Sequence, residues 1–116
     1  KIFTSIIIDN ISKDFDLGKT FDYVVSLEVA EHIPKKFQDV YVNNLIKHTD
    51  SYLIMSWALK GQGGDGHVNE QNEDYVLDLF NELGMTYHQD ISKMLRDVAQ
   101  LGWFKKTIYV FSKKNN

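Results

Sequence analysis

Phe21-Asp-Tyr-Val-Val-Ser-Leu-Glu-Val-Ala-Glu-His-Ile-Pro34 is the stretch whose reading decides the fold: an apolar run there meets two carboxylates and an imidazole. Tyr23 to Leu27 is apolar on both faces, the pattern of a strand covered on both sides in a parallel sheet. Glu28, Glu31 and His32 follow at i, i+3 and i+4, so a helical turn after the strand would gather them on one face. The carboxyl end of a strand is where open α/β sheets bind ligands. Ligand chemistry is expected at these three residues.

Outward from this stretch, strands alternate with helices. Upstream, Phe3 to Ile8 is a short β-branched run that stops at Asp9-Asn10, a strand and a turn. Downstream, Pro34 suits a helix start, and Phe37, Val40, Tyr41, Leu45 and Ile46 recur at helical spacing, predicting a helix that ends near His48. Tyr52 to Ala58 reads as the next strand, and Gly61-Gln-Gly-Gly-Asp-Gly66 as a loop with four glycines in six residues. Asn69 is the predicted cap of a helix through Tyr75, Val76, Leu79, Phe80 and Leu83, which Gly84 ends. Met85 to His88 is a brief strand, Asp90 the predicted cap of a helix carrying Ile91, Met94, Leu95 and Val98, and Thr107 to Phe111 the last strand. The alternation predicts an α/β fold, a mostly parallel sheet flanked by helices.

Composition narrows the function classes. The 116 residues are 43% hydrophobic and 25% charged, an ordinary globular composition of one domain's length. Thirteen basic against sixteen acidic residues give a net charge of −3 with no basic stripe, so a nucleic-acid partner is unsupported and a small-molecule substrate is expected. The chain has no cysteine, which removes disulfides, thiolate metal sites and cysteine nucleophiles. No apolar run approaches the ~20 residues of a membrane span and no signal peptide opens the chain, so a cytoplasmic location without membrane contact is the default expectation.

A strand that ends in Ser26-Leu-Glu-Val-Ala-Glu-His32 after a Phe-Asp pair resembles the fourth strand of class I S-adenosylmethionine-dependent methyltransferases, and the order of elements after it also fits that family. The resemblance implies a Rossmann-like sheet whose last strand is antiparallel and pairs with the strand before it. It also exposes a departure. The family's first strand, its glycine-rich loop and its second strand, which hold the methionine and ribose ends of the cofactor, have no counterpart before Phe3. Gly61 to Gly66 follows the fifth-strand counterpart and is a different loop. Residues 1–116 are therefore expected to be the C-terminal part of a single methyltransferase domain lacking its first two strands, because a sheet so shortened would expose an edge and apolar faces. The other expectation is a small α/β protein that closes differently or dimerises.

The resemblance carries roles over residue by residue. Asp9 and Asn10 match the positions beside the adenine, where a carboxylate accepts from the exocyclic amine; both residues are equally at home in a plain turn. Leu27 and Glu28 match the position that passes the sulfonium. Glu28, Glu31 and His32, with His67 in Gly66-His-Val-Asn69, resemble the metal site of small-RNA 2′-O-methyltransferases, where two carboxylates and two imidazoles hold a divalent cation against the substrate hydroxyl. That chemistry has its own physical logic. Methyl transfer to oxygen needs in-line positioning and gains when a cation lowers the hydroxyl's pKa. The donor set suits manganese, iron(II), cobalt or zinc by ligand type and Mg²⁺ less well, so Mg²⁺ or Mn²⁺ stands only for the class.

Blander readings stand beside these. Glu31 and His32 can simply open the helix that follows, the carboxylate favoured by the N-terminal dipole. His67 can be a hydrogen-bonding loop residue instead of a ligand or general base. Trp57 and Trp103 can line a pocket, but large aromatics are more often core; His48 and His88 read as surface or helix-end residues. No phosphate-binding glycine pattern and no nucleophile elbow is present.

The expected function is transfer of a methyl group from S-adenosylmethionine to an acceptor hydroxyl, with Glu28 and His67 in catalytic roles. The rivals are a non-catalytic methyltransferase-like scaffold and a metal-dependent hydrolase built on the same Glu and His cluster.

Overall fold

The computed structural model describes residues 10–114. The strand expected over Phe3 to Ile8, and Asp9, lie outside them. Among the described residues four strands form one sheet: β1 (Phe21–Ser26), β2 (Thr49–Ser56), β3 (Met85–Tyr87) and β4 (Ile108–Lys113). Three helices connect them: α1 (Gln38–Lys47), α2 (Glu73–Glu82) and α3 (Gln89–Val98). The sheet order is β1-β2-β4-β3, with β1 parallel to β2 and β4 antiparallel to both β2 and β3. β4 therefore inserts between β2 and β3, and the other three strands share one direction. This is the mostly parallel sheet that the alternation predicted, with the antiparallel last strand that the resemblance implied, paired with β2 as well as with the strand before it.

The core lies on one face of the sheet. Leu53 and Met55 of β2 sit opposite Phe111 and Tyr109 of β4, and α1 covers them with Tyr41, Val42 and Leu45 while α2 adds Val76 and Phe80. Phe80 stacks on Phe111 with ring centroids 4.3 Å apart. Trp57 is fully buried, which settles it as a core residue; Trp103 is exposed.

The opposite face of β1 is uncovered. Tyr23 and Val25 are 64% and 59% exposed, so among the described residues β1 is an edge strand with one bare face, where the sequence predicted a strand buried on both sides. Periodicity reports that a residue is apolar but cannot supply the layer that buries it.

Polar residues of α1 account for other departures. Asn44 donates from Nδ2 to the carbonyls of Ile11 and Lys13 and accepts the Phe15 N–H at Oδ1. His48 donates from Nδ1 to Asn44 O and accepts the Leu17 N–H at Nε2. Residues 10–20 contain no strand or helix, so their backbone groups need side-chain partners. His48 is thus a buried helix-end residue, not a surface one.

The helix caps shift as well. Asn72, not Asn69, precedes α2, and His88, not Asp90, precedes α3, with Asp90 in the first turn. Asn69 is buried, accepts from Gln71 and donates to Gln38. Gly84 ends α2 with φ 85°, a left-handed position suited to glycine. Ser92 of α3 accepts the Val110 N–H at 2.9 Å, which seats the helix where β3 no longer pairs with β4. Among the described residues, no helix is long and apolar enough to cross a membrane.

Candidate active site

The chain leaves β1 through Glu28, which has φ 60°, a conformation uncommon outside glycine. Its N–H donates to Ser56 Oγ at 2.8 Å, tying the turn to the end of β2. Two short 3₁₀ turns follow, Ala30–His32 and Lys35–Phe37, and the α-helix begins at Gln38. The predicted helical face thus gives way to a left-handed residue followed by a tight turn, and the grouping survives only in part.

Glu31, His32 and His67 present ligand atoms that all lie within 4.8 Å of one another. Glu28 stands outside this trio but within its field. Burial, and next the Glu31 carboxylate, push its carboxyl above the usual range, against the pull of the His67 and His32 imidazoles. Leu27 is exposed beside it. Asn10 lies in an exposed turn in which its Oδ1 accepts the Ser12 N–H at 2.9 Å. The turn reading of this residue is realised.

Glu31 is fully buried. Its Oε1 accepts the Ala58 N–H at 2.8 Å, and its backbone carbonyl accepts the N–H groups of Val68 and Asn69 at 2.9 and 3.0 Å. One residue therefore fastens the end of β2 and the loop after it to the turn after β1. Glu31 Oε2, by contrast, has no hydrogen-bond partner and lies 3.8 Å from His32 Nε2. A buried carboxylate oxygen left bare is costly, so this atom demands an explanation.

The two imidazoles meet edge to face with centroids 4.9 Å apart. His32 Nδ1 bonds the Gly66 carbonyl at 3.0 Å, and His67 Nδ1 bonds Glu70 Oε2 at 2.8 Å. Both partners are oxygen acceptors, so in each ring Nδ1 is the donor and Nε2 is the nitrogen outside these two bonds. Histidine ligands to metals show this second hydrogen bond as a rule.

Glu70 is the residue that sequence reasoning missed. Its carboxylate accepts from His67 Nδ1 and from the amides of Gly61 and Gly63. The His67 bond, followed by the glycine amides, holds its carboxyl below the ordinary value. The His67-x-x-Glu70 spacing was the available signal. Gly64 and Gly66 are needed for close approach: a Cβ on Gly64 would meet the His67 ring at 2.8 Å, and one on Gly66 would meet His32 Nδ1 at 3.2 Å.

The sequence matches no family model and no curated relative. Among solved structures, the chain is similar to magnesium protoporphyrin IX methyltransferase from Synechocystis PCC 6803. With bound S-adenosylmethionine the TM-score is 0.63 at 18% identity, covering 91% of this chain and 44% of that one. The same enzyme with bound SAH gives 0.62 at 17%, covering 91% and 49%. A structure described as a pericyclic reaction enzyme gives 0.60 at 11%, covering 91% and 29%. Residues 10–114 thus have a class I S-adenosylmethionine-dependent methyltransferase-like fold. The chain spans less than half the length of each of these structures.

Proposed function

We propose that the protein transfers a methyl group from S-adenosylmethionine to an acceptor hydroxyl, with oxygen favoured over nitrogen or carbon, and that Glu28, Glu31, His32 and His67 form its acceptor side. The observation that carries this reading is Glu31 Oε2, a buried carboxylate oxygen with no hydrogen-bond partner, 3.8 Å from His32 Nε2 and beside two imidazoles that are each held through Nδ1. The donor chemistry fits a divalent cation, and Glu31, His32 and His67 would hold it. Imidazole with carboxylate favours manganese, iron(II), cobalt or zinc over Mg²⁺.

When bound, S-adenosylmethionine supplies a methyl group on a positively charged sulfur, and a divalent cation lowers the pKa of an acceptor hydroxyl. The chain's own residues do the rest. Glu28, with a carboxyl raised above the usual range, is suited to take the hydroxyl proton as the methyl group moves to oxygen. Glu70 fixes the His67 ring and its tautomer. Ala58 and the loop amides of Val68 and Asn69 hold Glu31 in place. Asp9, Asn10 and Leu27 are assigned to the cofactor side, and the acceptor to small molecules in the cytoplasm.

The reading includes a domain that extends beyond these residues and supplies the remaining cofactor contacts. The bare apolar face of Tyr23 and Val25 supports it, since a patch of this kind is normally covered.

The test is transfer of labelled methyl from S-adenosylmethionine to hydroxyl acceptors, with and without EDTA. Transfer that EDTA abolishes is the expected result. EDTA-sensitive turnover that needs no S-adenosylmethionine would assign the cluster to hydrolysis, and calorimetry showing no cofactor binding would leave a scaffold.

A further inference from the structure

A groove opens at the start of the glycine loop, with Gly61 in its wall. Its volume is about 390 Å³, and it is lined by Leu59, Lys60, Gly61, Gln62, Trp103 and Lys106. Trp103 is 45% exposed, although it belongs to a type usually buried. It is not loosely placed: its carbonyl accepts the Thr107 hydroxyl at 2.7 Å, and its ring tilts against Phe104 at 6.0 Å. Lys60 and Lys106 are exposed, and among the described residues neither pairs with a carboxylate. Among the described residues no carboxylate lines the groove, although the net charge is −3.

The groove is also wired to the candidate active site. Gly61, in its wall, donates its N–H to Glu70 Oε1 at 3.1 Å, and the other Glu70 oxygen takes the His67 Nδ1–H at 2.8 Å. One carboxylate thus separates the groove from the imidazole.

An exposed indole offers a flat apolar face to a ring, and two unpaired ammonium groups beside it attract an anion. We propose that this groove recognises the acceptor, and that the acceptor is a planar aromatic hydroxyl compound bearing a carboxylate. The ring lies on Trp103 and the carboxylate is neutralised by Lys60 and Lys106. That the occupant is an acceptor rests on the methyl-transfer reading; that it is planar and anionic does not.

Calorimetric titration without S-adenosylmethionine separates the two ideas, using 4-hydroxybenzoate and its neutral counterpart 4-hydroxybenzamide as probes. The acid should bind about tenfold more tightly than the amide at low salt, the preference expected from two exposed ammonium groups acting together with imperfect geometry. Lys60→Gln with Lys106→Gln should reduce that preference to about twofold or less, whereas Trp103→Leu should weaken both probes about threefold to tenfold. Lys113→Gln should change neither. All four side chains are exposed, so the variants should keep the native circular dichroism.

Equal affinity for acid and amide, or a preference unchanged in the lysine variant, would overturn the proposal. So would tighter binding of a single-stranded oligonucleotide than of the acid. Lysine-dependent binding of the acid in a protein that transfers no methyl group supports the anion site and removes only the reaction. Methyl transfer to neutral acceptors without a preference for the acid does the reverse.

Discussion

Glu31 Oε1 accepts the Ala58 N–H at 2.8 Å while Oε2 of the same carboxylate is buried with no hydrogen-bond partner. The two oxygens are therefore separable: one is architectural, and the other is the atom that the proposed cation site would use. Glu31→Gln keeps an acceptor for Ala58 and removes a buried charge, so its unfolding midpoint should equal or exceed that of the native chain while cation binding falls. Glu31→Ala strands the Ala58 amide and leaves a void. It should cost on the order of 1–3 kcal/mol or more by denaturant titration. Equal stability losses in the two variants would contradict this division.

Gly64 and Gly63 separate a contact effect from a backbone effect. Both have positive φ, at 151° and 75°, but only at Gly64 would a Cβ strike the His67 ring, while at Gly63 it would meet nothing within 4 Å. Gly64→Ala should displace the imidazole and lower turnover or cation affinity about tenfold or more, by the sensitivity of catalysis to misplacement. Gly63→Ala should cost stability, about 1 kcal/mol, with a smaller effect on the site. Similar losses of activity in both variants would argue against a placed His67.

Two buried phenols predict how the fold responds to alkali. Burial raises the pKa of Tyr41, opposed by its bond with Ser26, and burial raises that of Tyr109, reinforced by Glu73 and opposed by Arg96. A raised folded value means that the native state holds these protons more tightly than the unfolded chain, whose tyrosines ionise near pH ~10. Their contribution is fully present below that pH and declines as pH rises above it. Denaturation midpoints should accordingly fall from about pH 10 upward. Of the six tyrosines, Tyr41 and Tyr109 should stay protonated until the chain unfolds, as read by tyrosinate absorbance. Reversible titration of all six in the folded protein would contradict the burial of these hydroxyls.

The sequence was most legible where local chemistry decides the outcome. Gly84 at the end of α2, the end of α1 at His48 and the brevity of β3 all follow from short-range rules, and the structure has them as expected. It was least legible where a distant partner decides. Asn69 looked like a cap, but its amide is consumed by Gln38 and its carbonyl by Trp57 Nε1, thirty-one and twelve residues away in sequence. The bare face of β1 depends on which layer covers it, which no alternation of residue types encodes.

The candidate site shows the same division. Glu31, His32 and His67 were legible by residue type and position along the strand ends, and the structure brings them together. Glu28 is set aside from them by its left-handed backbone, which spacing could not foresee in a residue other than glycine. Glu70 escaped notice because its role comes from three bonds closed by the folding of the glycine loop.

Titration of the protein with Mn²⁺, followed by calorimetry, reads the Glu31, His32 and His67 cluster most directly. One cation should bind per chain, and Glu31→Gln and His67→Ala should each weaken binding about tenfold to a hundredfold while the native circular dichroism is kept. Absence of binding at millimolar Mn²⁺, or binding that both variants leave unchanged, would contradict the acceptor site proposed for these residues.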